Sequence, residues 1–312
     1  MEGITGYVFR NAFAACYGGA DTYFTPFLSN PVLNRIELHD ILPDNNAGIN
    51  LVPQILTNRV DTFIAIANTL KDYGYTEVNL NLGCPSGTVV AKKRGAGALR
   101  EPKELDRLLD GIFSGSPLPV SVKTRIGIRS INEWEDILEV YRKYPIRELI
   151  IHPRFQKQFY KGEVEMDAYR EAYEAYFPEE TGSEGQNATA LCYNGDLTTV
   201  SHIRELQVSY PETSAVMLGR GLLRNPELAV SFKGNSPDPA RKKKTLTDFL
   251  NMLYEGYREE MESEGPALMK QKELWSYLKD YTGSTDSEMK PLWKSTTLAE
   301  YRDVVQMLLS RI

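Results

Sequence analysis

A (β/α)8 TIM barrel followed by a small all-helical C-terminal domain is the fold this 312-residue sequence predicts. Three observations lead to it. Seven strand-like runs alternate with helix-period segments, the pattern of parallel βα units. Five of the runs end in polar residues: Gln54, Asn81 with Cys84, Lys123 with Arg125, His152, and Asn194 with Asp196. A barrel gathers its chemistry outside the carboxyl ends of all its strands, whereas the alternative, an open doubly wound sheet, concentrates it at one switch point. Beyond Ser236 strand patterns cease and only helix-period segments follow. The expected domains are therefore 1–237 and 238–312, with the barrel one strand short of eight.

Taken in order, Met1 to Gly6 reads as a turn before a helix over Tyr7 to Tyr17. Asp21 to Phe27, rich in β-branched and aromatic residues, reads as a strand ended near Pro26. Leu51 to Ile55 is the second strand, and Arg59 to Tyr73 a helix with Phe63, Ile64, Ala67 and Leu70 at its apolar positions. The third strand, from Glu77, sets Asn79 and Asn81 on one face and stops at Gly83-Cys84-Pro85, which leaves a thiol at its end. A helix from Pro102 to Phe113, with proline at its start, leads to the strand Pro119 to Arg125. A helix over Asn132 to Tyr144 leads to the strand Glu148 to His152. The basic, aromatic loop Pro153 to Lys161 precedes a helix near Met166 to Tyr176 and a surface loop, Pro178 to Asn187. Strands Ala190 to Asn194 and Ala215 to Leu218 flank a helix over Thr199 to Val208. After a linker, Asp238 to Lys244, helices are expected at Leu246 to Glu262, Ala267 to Tyr281 and Leu298 to Leu309.

Composition excludes several classes. Hydrophobic residues at 42% and charged ones at 25% fit a soluble globular protein. No apolar run nears the roughly 18 residues of a membrane span and no basic-then-apolar leader opens the sequence, so a cytoplasmic location without a membrane partner is expected. Cys16, Cys84 and Cys192 are too few for a disulfide framework and lack the close Cys/His spacing of a metal site. The net charge of −6 argues mildly against a polyanionic partner. It resides in the barrel, because residues 240–312 carry 12 basic and 12 acidic side chains.

Gly195-Asp196 and Gly219-Arg220-Gly221 follow the last two strands, where barrels commonly bind phosphate through loop N–H groups. Lys123 and Arg125, two apart on one strand face, repel each other unless an anion or electron-rich ring sits between them. His152 ends its strand against Pro153; His39 and His202 have no such setting and read as structural. A phosphate site, a rim of Gln, Lys and His, and a thiol together suggest an enzyme that uses flavin mononucleotide (FMN). Lys123 would then stabilise negative charge on the reduced ring, and Cys84 would serve as a proton donor, since an unperturbed thiol with a pKa of about 8.5 is mostly protonated near neutral pH.

Asn81-Leu82-Gly83-Cys84-Pro85 with Arg94-Gly95-Ala96-Gly97-Ala98-Leu99 resembles the signature of the tRNA-dihydrouridine synthases, FMN-dependent barrels with a helical RNA-binding domain. Lys123-Thr124-Arg125, His152-Pro153-Arg154, Asn194-Gly195-Asp196 and Gly219-Arg220-Gly221 follow in that family's order, and Lys270 to Trp275 extends the likeness more faintly into the helical part. The resemblance implies that Cys84 protonates C5 of a target uracil while reduced FMN delivers hydride to C6. It places Asn81, Lys123, Arg125 and His152 against the uracil or the flavin ring, Gln54 against the flavin, and Asn194, Asp196, Gly219 and Arg220 around the ribityl-phosphate end; Lys123 and His152 are taken as cofactor-binding and Asn81, Arg125 and Arg154 as substrate-binding. NADPH would be the reductant, so no dinucleotide fingerprint is needed. Met1 to Thr5 resembles the tail of the family's first-strand motif, which makes a first strand lost to truncation or a miscalled start the expected reason for the short count. His152-Pro153-Arg154 also departs from the family's commoner His-Gly/Ala-Arg.

Docking of tRNA is expected through local basic clusters: Lys92, Lys93 and Arg94 beside the cysteine, Arg154, Lys157 and Lys161 with Phe155, Phe159 and Tyr160, and Lys270 with Lys272. Arg241 to Lys244 reads as a solvated face. No obligate protein partner is inferred. Competing readings are an FMN barrel reductase of a small molecule, of dihydroorotate or dihydropyrimidine type, and an RNA-binding relative without redox activity.

Overall fold

The computed structural model describes residues 3–178, 189–235 and 238–312. Met1, Glu2 and nearly all of the loop expected from Pro178 to Asn187 lie outside the described residues. The chain opens with α1 (Tyr7–Cys16) and then alternates: β1 (Tyr23–Leu28), α2 (Arg35–Ile41), β2 (Leu51–Ile55), α3 (Val60–Asp72), β3 (Val78–Leu82), α4 (Gly87–Ala91), α5 (Pro102–Gly115) and β4 (Val120–Arg125). It continues through α6 (Trp134–Tyr141), β5 (Glu148–His152), α7 (Met166–Tyr176), β6 (Ala190–Tyr193), α8 (Val200–Ser209), β7 (Ala215–Val216), α9 (Arg220–Arg224) and α10 (Leu228–Phe232). Four helices complete it: α11 (Lys242–Met261), α12 (Glu264–Thr282), α13 (Asp286–Lys294) and α14 (Leu298–Leu309).

All seven strands are parallel and lie in sequence order, β1 to β7, with no reversal. A doubly wound sheet would show the reversal, so the architecture is a barrel-type (β/α) sheet. The strands curl around a cavity of about 1080 Å3 that every one of them helps to line. No strand among the described residues joins β1 to β7.

The main core lies between the sheet and α3, α5, α6 and α7, with Phe63, Leu109, Trp134 and Tyr169 essentially inaccessible to solvent. A second core unites α11 to α14 with α1: Phe9 and Phe13 meet Phe249 edge to face at 5.8 and 6.4 Å. A methyl group on Gly256 would stand 2.6 Å from Val8 Cγ1, which shows how closely α1 and α11 approach. The helical segments after residue 237 thus share a core with the first helix of the chain as well as with one another.

Several expectations shift. β1 runs through Pro26 to Leu28 because its pairing with β2 is irregular between Phe24 and Phe27, where no proline N–H is required. Thr25 Oγ1 takes the Gln54 N–H at 2.9 Å in compensation. β7 holds only Ala215 and Val216, so Met217 and Leu218 lie beyond it. Five helices were unforeseen: α2 and α13, each opened by a capping box (Asn34 with Glu37, Thr285 with Glu288), and the short α4, α9 and α10.

Candidate active site

A buried polar ladder sets the position of Cys84. On β3, Asn79 and Asn81 face inward as their spacing requires, at 0% and 6% exposure. Ser121 Oγ accepts from Asn79 Nδ2 at 3.0 Å, Asn79 Oδ1 accepts from Gln54 Nε2 at 2.8 Å, and Gln54 Oε1 accepts from Asn81 Nδ2 at 2.7 Å. With its amide so oriented, Asn81 Oδ1 receives the N–H groups of Gly83 (3.1 Å) and Cys84 (2.9 Å). The strand end is thereby folded into a turn that aims the thiol at the cavity, which Cys84 helps to line. Gly95 supports the turn from outside: its φ is +54°, and a Cβ there would stand 2.8 Å from the Cys84 carbonyl oxygen and 2.9 Å from Cys84 Cβ. Only glycine satisfies both demands.

Beside the cysteine turn, Lys123 and Arg125 on the adjacent strand β4 line the cavity together with His152, Asp196 and Arg220, while Arg154 backs onto His152 and Asp196. Lys123 is enclosed by protein while its side chain still lines the cavity; burial and then Arg125 lower its pKa to about 8, against weaker pulls from Cys192 and Cys84. No carboxylate is among the groups acting on it. Burial, reinforced by Lys123, Arg125, Arg154 and Arg220, drives the His152 pKa far below its ordinary value, so the imidazole is neutral. Arg154 Nη1 lies 3.1 Å from His152 Nε2, and because arginine only donates, Nε2 accepts and Nδ1 carries the proton. His152 is therefore a hydrogen-bond donor here and not a cationic acid. Burial opposes the charge on Asp196, but the hydrogen bonds and charges of Arg154 and Arg220 outweigh it and hold its pKa below the usual carboxylate value.

The loop after β5 borders this cavity. Arg125 donates to the carbonyls of Gly83 (3.0 Å), Phe155 (3.2 Å) and Phe159 (2.5 Å), tying the cysteine turn to the loop. The Tyr160 ring stacks on His152 with centroids 6.3 Å apart and lies under the guanidinium carbons of Arg220 (4.8 Å) and Arg125 (5.4 Å). At the far side Asn194 Nδ2 donates to Met217 O at 2.7 Å, joining the ends of β6 and β7. Gly219 caps α9, and a Cβ on Gly221 would stand 2.1 Å from the Leu197 carbonyl oxygen.

Gln54, Asn81, Cys84, Lys123, Arg125, His152, Asn194, Asp196, Gly219 and Arg220 thus all border one cavity. Arg154 does not reach it: fully buried, it is committed to His152, Asp196 and the Gly162 carbonyl. Lys92, Lys93 and Arg94 lie just beyond the cysteine turn, with Lys93 paired to Glu104 at 3.1 Å. On the helical side, Lys270 bonds Gly3 O and Glu273, and Lys272, 9% exposed, donates to Ser295 O. Those two ammonium groups serve the fold. Sequence reasoning missed Asn79 and Ser121 as supports and Gln156 as a partner of the cysteine turn; the polar face of β3 was the visible signal for the first.

Among the described residues no cluster of His, Cys, Asp and Glu suits a metal ion, and no helix is long and apolar enough to cross a membrane. The family model described as Dihydrouridine synthase matches residues 1–290. Three relatives share this likeness. A probable tRNA-dihydrouridine synthase of Staphylococcus epidermidis is 31% identical over 230 residues, covering 72% of this chain and 68% of that one. One of Staphylococcus aureus is 31% identical over 230 residues, covering 72% and 67%. The probable tRNA-dihydrouridine synthase 2 of Bacillus subtilis is 27% identical over 269 residues, covering 83% and 78%.

Proposed function

This chain belongs to the dihydrouridine synthase family, and from that premise we propose that it reduces the C5–C6 double bond of uridines in tRNA, with FMN as cofactor, NADPH as reductant and Cys84 as proton donor. The observation that carries the reading is the Cys84 turn, which directs a thiol into a cavity lined by the cations Lys123, Arg125 and Arg220.

The chain's own residues fit a flavin nucleotide. A cavity of about 1080 Å3 accommodates a group of that size. The cavity is lined by three basic side chains, Lys123, Arg125 and Arg220, against the Asp196 carboxylate, and a lysine whose pKa is lowered by burial and by Arg125 would be relieved by a bound anion. Lys123 would meet the ring's electron-rich edge and Gln54 and His152 its polar edges, while Asn194, Asp196, Gly219 and Arg220 would surround the phosphate-bearing end. When bound, the flavin supplies the hydride that adds to the target ring.

Every other part of the reaction falls to side chains. Asn81 holds the backbone N–H of Cys84, so the thiol meets one face of the base at a fixed height. Its proton passes to C5, and the thiolate left behind faces the Lys123 ammonium, which acts on it electrostatically. Tyr160, stacked on His152 and 53% exposed, offers an aromatic surface to a base drawn out of its loop. Lys92, Lys93 and Arg94 lie where phosphates flanking that base would pass. Purified protein supplied with FMN and NADPH should form dihydrouridine in unmodified tRNA and leave free uridine and dihydropyrimidines unchanged. Turnover of the small molecules without tRNA would replace this reading with the small-molecule reductase.

A further inference from the structure

We infer that Gln156 is a positioning residue for Cys84, acting through Pro85 from across the rim. The inference deepens the function proposed above and rests on it for the role of the thiol. Asn81 holds the Cys84 N–H, but proline has no N–H, so the backbone of Pro85 can be held only through its carbonyl. Cys84 O receives the Ala96 N–H at 3.1 Å, and Pro85 O receives Gln156 Nε2 at 2.9 Å. Ala96 belongs to the segment that follows the turn itself. Gln156 lies 71 residues away, on the loop after β5.

Gln156 is a firm anchor. It is 8% exposed, its N–H donates to Gly127 O at 2.9 Å, and the neighbouring Phe155 carbonyl is held by Arg125, which also holds Gly83 O. The side chain stands four residues after His152 and four before Tyr160. The donor thiol and the groups facing the base are therefore parts of one framework, in which Arg125 holds Gly83 and the Gln156 amide holds Pro85, the residue next to the thiol. Without that amide, Pro85 O loses its donor and Pro85 is held only through its neighbours, Cys84 by Asn81 and Ala96 and Ser86 by Val89 and Val90 N–H, so the turn loosens at the residue after the thiol. Displacements near 1 Å at a reacting group can cost about 100-fold in rate.

The test compares Gln156→Met, which keeps size but donates nothing, with Gln156→Glu, which donates only when protonated. Gln156→Met should lower kcat for uridine reduction about tenfold or more while KM for tRNA and flavin reduction by NADPH stay within about twofold of wild type. In a Cys16→Ser background the rate of Cys84 alkylation by iodoacetamide should change as well. Gln156→Glu should match Gln156→Met at neutral pH and recover relative to it as pH falls and the carboxyl gains its proton. Unchanged kcat and alkylation in Gln156→Met would overturn the inference, as would equal losses in kcat, flavin reduction and thermal stability or a pH-independent ratio of the two variants. If Cys84→Ala kept full activity, the proton-donor reading would fail instead, and alkylation would still report whether Gln156 places the thiol.

Discussion

Replacing Lys123 with methionine should stabilise the flavin-free protein while weakening its hold on flavin. Methionine fills a similar space without a charge. Burial lowers the Lys123 pKa from 10.5 to about 8, so at neutral pH the fold carries an ammonium it would release more readily than the unfolded chain does. At about 1.4 kcal/mol per pH unit, the difference sets an upper bound of about 3 kcal/mol. Contact of the side chain with the cavity reduces that, so about 2 kcal/mol is the expected gain. The sign fixes the pH dependence: a lysine with a depressed folded pKa penalises the fold fully below about pH 8, and the penalty fades as pH rises towards 10.5. Urea unfolding of both proteins without flavin, at pH 7 and pH 9.5, measures this directly. The variant should be more stable at pH 7, with the advantage much reduced at pH 9.5, and its FMN dissociation constant should rise. A variant less stable at pH 7, or a gain independent of pH, would refute the claim that an unneutralised buried cation is held for the cofactor.

Two further outcomes follow from the geometry. Asn81→Leu strands the Gly83 and Cys84 N–H groups and Gln54 Oε1, at about 1 to 3 kcal/mol for each buried group, so urea denaturation should show a loss of about 3 kcal/mol or more. Asn81→Asp should recover most of it, because Gln54 and Asn79 can both reverse their amides and Ser121 can then donate to Asn79; equal losses in the two variants would contradict the ladder. Converting Lys92, Lys93 and Arg94 together to glutamine should flatten the slope of log K against log salt for tRNA by about 2, less than the full three charges because Lys93 is partly neutralised by Glu104. An unchanged slope would remove this edge from the tRNA path.

What sequence could convey here follows the range of each interaction. Strands β2 to β6 were legible because short, largely apolar runs with polar ends mark buried parallel strands locally. α2 and α13 were announced by Asn34 with Glu37 and Thr285 with Glu288 but are short, and α13 also contains Pro291, which argues against a helix on local grounds. The first helix was expected over Tyr7 to Tyr17, yet local pattern does not say which surface a helix meets, and that surface proved to belong to the helices after residue 237. At the site, Cys84, Lys123 and His152 were found by position at strand ends. Arg154 was read as a substrate contact from its place in the basic, aromatic loop with Lys157 and Lys161, but its guanidinium turns inward to His152 and Asp196. Gln156 carried no local signal, since its partner lies 71 residues away.

The central claim is that Cys84 delivers the proton to a uracil in tRNA. Its most direct test is single turnover with unmodified tRNA, wild type against Cys84→Ala, each loaded with FMN and reduced by NADPH, with nucleoside mass spectrometry of the product. Both proteins should bind and reduce the flavin equally, and only the wild type should yield dihydrouridine at an appreciable rate. Dihydrouridine formed by Cys84→Ala at the wild-type rate would contradict it.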